Sequence, residues 1–208
     1  YDALSVRCAT QLRALHFPAD AEWIVEQGSV LDAAYMTSLG QFDVVYSWGV
    51  LHHTGAMWSA IDAASGAVAS GGRLFIAIYN DQGPFSTFWL RIKRTYNRLP
   101  AILQGPYLVV FGTLLELAAV ASAMLRLDPG RLIRRWTQYQ SVRGMSRWHD
   151  VVDWIGGYPF EVAKPEAILD RVRGRGFALV RLTTCGGRMG CNEFVFERRP
   201  DGGHGASR

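Results

Sequence analysis

Disulfide chemistry has little to work with in this sequence, because its 208 residues include only three cysteines, Cys8, Cys185 and Cys191. An odd and small number builds no disulfide framework and suits a reducing compartment, so a cytoplasmic location is expected. No internal repeat appears. No basic-then-apolar leader opens the chain, and residue 1 is Tyr rather than Met, so the start reads as trimmed. Acid is nearly absent from the middle. Between Phe85 and Trp148, ten Lys and Arg face only Glu116 and Asp128. That segment carries +8 and leaves −4 for the rest, so the sequence pI of 9.2 belongs to the middle. A basic surface there would suit an anionic partner or a membrane face, and equally a solvated helical face.

What is present is a globular composition, 49% apolar and 19% charged. The length fits one domain, or one domain with a large insertion, and buries roughly 70% of its unfolded surface. Leu4, Cys8, Leu12 and Leu15 recur at helical spacing behind Asp2, a capping residue, which predicts a helix from Ala3 to Leu15. Trp23–Gln27 and Phe42–Ser47 read as strands. Met57–Ala69 reads as an amphipathic helix stopped by Ser70-Gly71-Gly72, and Arg73–Tyr79 as a third strand. Phe85 to Trp148 is helical in character throughout. Pro165–Arg173 reads as a helix with proline in its first turn. Phe177–Thr184 and Asn192–Arg198 read as an antiparallel hairpin across a glycine-rich link. The expected architecture is therefore α/β, with parallel βα units closed by an antiparallel hairpin and interrupted by a helical insertion. The domain reading assigns 1–84 and 160–199 to the core, 85–159 to the insertion or substrate cap, and 200–208 to a disordered tail. Ligands of open α/β sheets bind outside the carboxyl ends of the strands, which directs attention to the loops after Gln27, Ser47 and Tyr79.

Those loops carry a resemblance. Glu26-Gln-Gly-Ser-Val-Leu-Asp32, Phe42-Asp-Val-Val-Tyr-Ser-Trp-Gly-Val-Leu-His-His-Thr54 and Gly71-Gly-Arg-Leu-Phe-Ile-Ala-Ile78 resemble, in order and spacing, the third-, fourth- and fifth-strand motifs of class I S-adenosylmethionine-dependent methyltransferases. Tyr1-Asp2 resembles the end of that family's second strand. The likeness covers residues 1 to about 80 and 165 to 198. It implies a Rossmann-like sheet, S-adenosyl-L-methionine as cofactor, and cofactor contacts at Tyr1, Gly28, Ser29, Val30, Ser47 and Trp48. Tyr1 would pack on the adenine, Ser29 and Val30 would meet its edge, and Ser47 and Trp48 would lie beside the methyl-bearing end. No Gly-x-Gly-x-Gly follows an apolar strand, and Gly186-Gly187-Arg188-Met189-Gly190 is followed by a strand where a nucleotide loop would open a helix. The family's first strand, glycine loop and ribose acid are therefore expected to be absent from these residues, leaving this chain unable to bind cofactor on its own.

For the chemistry, methyl transfer is an in-line displacement that gains most from alignment, with a base useful for a hydroxyl acceptor. His53 and His52 are the candidate bases, with His149 a further candidate; the pair also reads as a helix start packed on the sheet. His149, Asp150 and Asp153 could line one helix turn as metal ligands or as a capped helix start, and no metal is assigned. The segments Trp89–Asn97 and Arg147–Glu161 resemble a bacterial subgroup loosely similar to ubiquinone-biosynthesis O-methyltransferases. Insertions at this point build acceptor pockets in the family, which implies Tyr96, His149, Asp150 and Tyr158 near substrate. The expected partner is a small-molecule acceptor, lipid-like in one reading, O-methylated in preference to N or C. Nucleic acid is disfavoured because no Asn-Pro-Pro-Tyr-type motif follows Phe42–Ser47. Oligomeric state is not legible. Leu108–Leu125 contains one charge, Glu116, and reads as a buried or substrate-covering helix, as a helix lying on a bilayer, or as a span. A competing function is a degenerate methyltransferase-like module that binds a partner or a membrane, in peripheral contact, through this basic apolar insertion.

Overall fold

The computed structural model describes residues 2–128, 130–139, 141 and 144–200, so Tyr1 and the tail from 201 to 208 lie outside the described residues. The chain divides into two compact units, Tyr1–Asn80 with Ala163–Arg208, and Asp81–Val162.

In the first unit, α1 (Ala3–His16) starts on Asp2, whose carboxylate accepts the Leu4 and Ser5 amides, and it buries no residue. The stretch expected as a strand, Trp23–Gln27, forms none. A strand needs a partner ladder, and among the described residues none runs beside it. Helix α2 (Ala33–Ser38) follows, capped by Asp32. Strand β1 (Phe42–Trp48) leads through a 3₁₀ turn (Leu51–His53) into α3 (Met57–Gly66), and then β2 (Val68–Tyr79) runs parallel to β1. Both α3 and β2 correct the expectation. The helix ends at Gly66, and Val68–Gly72 continues the strand instead of the helix. A Cβ at Gly72 would stand 2.9 Å from the Asp43 carbonyl, so the glycine lets β2 approach β1 closely rather than stopping a helix.

Helix α8 (Pro165–Arg173), with proline in its first turn, precedes the hairpin of β3 (Phe177–Thr183) and β4 (Cys191–Arg198). The sheet order is β1-β2-β4-β3, with β4 antiparallel to both neighbours. Leu74, Ile76, Ile78, Phe194 and Phe196 point to one face and meet Ile61 of α3 and Ile168 and Val172 of α8. Burying this set, at roughly 1.5–3 kcal/mol per large side chain, is what holds the sheet. Asp62 of α3 ties the two helices: it accepts from Arg171 Nε at 2.9 Å and lies 2.6 Å from Arg175. Burial pulls the Asp62 carboxyl upward, but the two guanidiniums outweigh it and hold it below the usual carboxylate range. β1 is an edge strand here, with Val44 and Tyr46 more than half exposed. A parallel strand is ordinarily covered on both faces, so this edge is unusually bare.

The second unit is helical among its described residues. It comprises α4 (Pro84–Arg98), α5 (Ala101–Leu125), α6 (Gly130–Thr137) and α7 (Arg147–Gly156). Lys93 of α4 is buried, donates to the Trp154 carbonyl of α7, and sits 4.2 Å from the Trp154 ring centroid and 4.9 Å from that of Phe160. Asn97 Nδ2 donates to the Gly156 carbonyl at 3.0 Å, and Trp89 meets Trp154 edge-on at 5.4 Å. Of the readings left open for Leu108–Leu125, a helix buried within the chain does not hold: only Leu108 and Ala123 are buried along the 25 residues of α5.

Candidate functional site

The carboxyl ends of β1 and β2 bring together Ser47, Trp48, the 3₁₀ turn and Tyr79. Ser47 is half-buried, while Trp48 leaves 53% of its surface exposed at the strand tip. The chain reverses at Gly49, whose φ of 75° is costly for other residues, and its amide donates to the Ala77 carbonyl. The turn that follows aims its two histidines differently. His52 is fully buried with its ring centroid 3.9 Å from that of Tyr79, and His53 is half-buried, edge-on to Tyr79 at 5.4 Å. The two histidines therefore differ in access, and His53 is the one that reaches solvent.

The loop before α2 is a tight turn. Ser29 Oγ accepts the Leu31 amide at 3.2 Å and the Ser29 carbonyl accepts the Asp32 amide at 3.0 Å. Gly28 lies under the Tyr35 ring, and the Tyr35 hydroxyl donates to Glu26 at 2.9 Å. Val30 packs against the sheet core. Tyr1 falls outside the described residues. The acids of this loop are engaged locally, Asp32 in capping α2 and Glu26 with Tyr35.

Behind the β2 tip lies a polar network that sequence reading missed. Asn192 is buried, donates to Asn80 Oδ1 at 3.0 Å and accepts the Cys185 amide at 3.2 Å. Asn80 in turn donates to the Arg188 carbonyl at 3.4 Å, which pins the glycine-rich hairpin loop against the end of β2. Cys185 and Cys191 are free thiols. Burial, then the neighbouring Cys185 and Glu193, pushes the Cys191 thiol up to about 12, which makes it inert as a nucleophile at neutral pH. The signal that could have found this network is Tyr79-Asn80 ending an apolar strand, as Ser47-Trp48 ends the other.

The four residues expected at substrate lie in the helical unit, and three of them make contacts within it. Tyr96 packs on Gly156 and lies 6.1 Å from Tyr107, ring to ring. Asp150 accepts from the Tyr139 hydroxyl. His149 Nδ1 is 2.6 Å from Ser146 Oγ, the hydroxyl that also caps α7, which is the capped helix start weighed against a metal site. Tyr158 is exposed. No group of three His, Cys, Asp or Glu among the described residues is placed to hold a metal ion.

No family model and no curated protein matches the sequence. Among solved structures, PKMT2 from Rickettsia typhi, in complex with AdoHcy, is similar over 96% of this chain and 43% of its own, with a TM-score of 0.51 and 9% identity. An O-methyltransferase family protein from Burkholderia thailandensis is similar over 94% of this chain and 41% of its own, with a TM-score of 0.49 and 15% identity. The chain thus spans less than half the length of either. Strand order, the parallel β1–β2 pair, the antiparallel hairpin and the PKMT2 superposition agree on one architecture. The fold of this chain is that of a class I S-adenosylmethionine-dependent methyltransferase.

Proposed function

We propose that this chain supplies the methyl-end half of the site of an S-adenosylmethionine-dependent methyltransferase that O-methylates a small-molecule acceptor. The observation that carries the reading is the pair of strand tips. Trp48 stands exposed above a left-handed Gly49, next to a half-buried His53 braced on Tyr79. These residues fit the two ends of the cofactor: Ser29 and Val30 for the adenine edge, Ser47 and Trp48 for the methionine end. They do not supply a ribose carboxylate, because Asp32 and Glu26 are already engaged. The bare edge of β1 is where a further strand bearing a glycine loop would complete the site. When bound, the cofactor supplies a sulfonium-activated methyl group. This chain's own share is to align the acceptor oxygen and to take its proton at a His53 ring nitrogen.

The test incubates the polypeptide that carries this chain together with such a strand and loop, using methyl-labelled cofactor and fractionated cell extract. Label is expected in the solvent-extractable small-molecule fraction and is expected to be lost with Trp48→Ala. Label confined to precipitated protein or nucleic acid contradicts the reading.

A further inference from the structure

We propose that the helical unit seats on an anionic lipid bilayer through the outer face of α5, with the helix lying in the membrane surface rather than crossing it. The helix is inside out for water. Its inward side carries its single charge, Glu116, which pairs with Arg147 of α7. Its outward stripe runs through Leu103, Val110, Leu114, Leu117, Met124 and Leu125, all between 48% and 87% exposed, and no charged residue interrupts it. At 1.5 Å per residue the 25-residue helix is about 37 Å long, so this is a continuous apolar strip and not a scatter of single side chains. Among the described residues this helix is long and apolar enough to cross a membrane, and only 11% of its most apolar stretch is buried.

Length alone would allow a span. The packing argues for the in-plane seat. The inner face of α5 is held by α4 and α7: the Tyr107 hydroxyl donates to the Ile92 carbonyl at 3.1 Å, and Gly112 faces Val151. Those two helices expose Arg91, Arg94, His149 and Asp153, which a span would carry into hydrocarbon. Lying flat, the outer stripe enters the acyl boundary while these groups stay in water.

The chemistry at the ends selects anionic lipid. Exposed Arg98 precedes α5 and exposed Arg126 caps it. Helix α6, packed on α5, exposes Ile133, Trp136 and Arg134, the last also holding Asp128 at 3.1 Å. An exposed indole among arginines suits the headgroup level, and the segment's net +8 is complementary to a phosphate surface. The seat does not depend on the methyl-transfer reading.

Flotation of the 208-residue chain with phosphatidylcholine vesicles containing phosphatidylglycerol tests it, without cofactor. The chain is expected to float, about tenfold more weakly on phosphatidylcholine alone. Leu114→Asp with Leu117→Asp is expected to weaken partitioning by about tenfold or more while leaving the far-UV spectrum unchanged, since both side chains point outward. In Leu114→Trp, the added indole is expected to be quenched more by lipid brominated near the headgroup than near the bilayer centre. Failure to float at low salt overturns the proposal. So does a dimer in sedimentation that hides the stripe from vesicles, and stronger quenching at the bilayer centre, which would make α5 a span.

Discussion

Replacing Lys93 with methionine is expected to make the helical unit more stable at pH 7 and less pH-dependent. The ammonium is buried between two aromatic rings, and burial, only partly offset by the charge of Asp153, brings its pKa from 10.5 down to about 8. Because the folded value lies below the unfolded one, the unfolded chain holds the extra proton between about pH 8 and 10.5. Raising the pH through that window therefore stabilises the fold. Below about pH 8 both states are charged and the cost is constant, at roughly 3 kcal/mol from the shift. Methionine removes that cost, retains contact with the rings, and gives up the bond to the Trp154 carbonyl, worth about 1 kcal/mol. Thermal unfolding of both proteins should show Lys93→Met ahead by about 1–2 kcal/mol at pH 7, with the gap closing by pH 11. A difference that does not change with pH would mean that the lysine is not desolvated.

The two histidines should separate into a structural and a catalytic one. His52→Ala removes a fully buried ring packed 3.9 Å from Tyr79 and is expected to cost about 2–4 kcal/mol of stability. His53→Ala, at a half-buried position, is expected to leave stability within about 1 kcal/mol and to lower methyl transfer by about 100-fold or more if its nitrogen takes the acceptor proton. His53→Gln should behave as the alanine does, because it restores shape but not basicity. Chemical denaturation and turnover on purified acceptor measure the two effects. A His52 variant that folds normally and a His53 variant at full rate would remove the assignment.

Much of this fold was legible because its signals are local. Asp2 caps α1, proline opens α8, and the apolar run Phe42–Ser47 is β1, each at nearly the expected bounds. What failed required knowledge of a neighbour. Trp23–Gln27 has a strand's composition but no ladder to join, and Gly71-Gly72 reads as a helix stop until the Asp43 carbonyl beside it is seen. The apolar run in α5 was legible as a helix, with a buried, a bilayer-lying and a spanning helix all left open by the sequence. Hydropathy is the same for a helix buried in protein and one with an open apolar face, and the exposure of Leu114, Leu117 and Leu125 is what separates them. At the site, the strand motifs pointed to Ser47, Trp48 and the histidine pair. The brace from Tyr79, the burial of His52 and the Asn80–Asn192 network arise from residues far apart in sequence.

The central claim is that a methyl-donor nucleotide lies across the tips of β1 and β2. Nuclear magnetic resonance of the labelled polypeptide that carries this chain together with the completing strand and glycine loop, titrated with S-adenosylhomocysteine, tests it directly. Binding is expected, with the Trp48 indole N–H and the Ser29 and Val30 amides shifting first. Shifts gathered elsewhere while those three stay still, or submicromolar binding by these 208 residues alone, would contradict it.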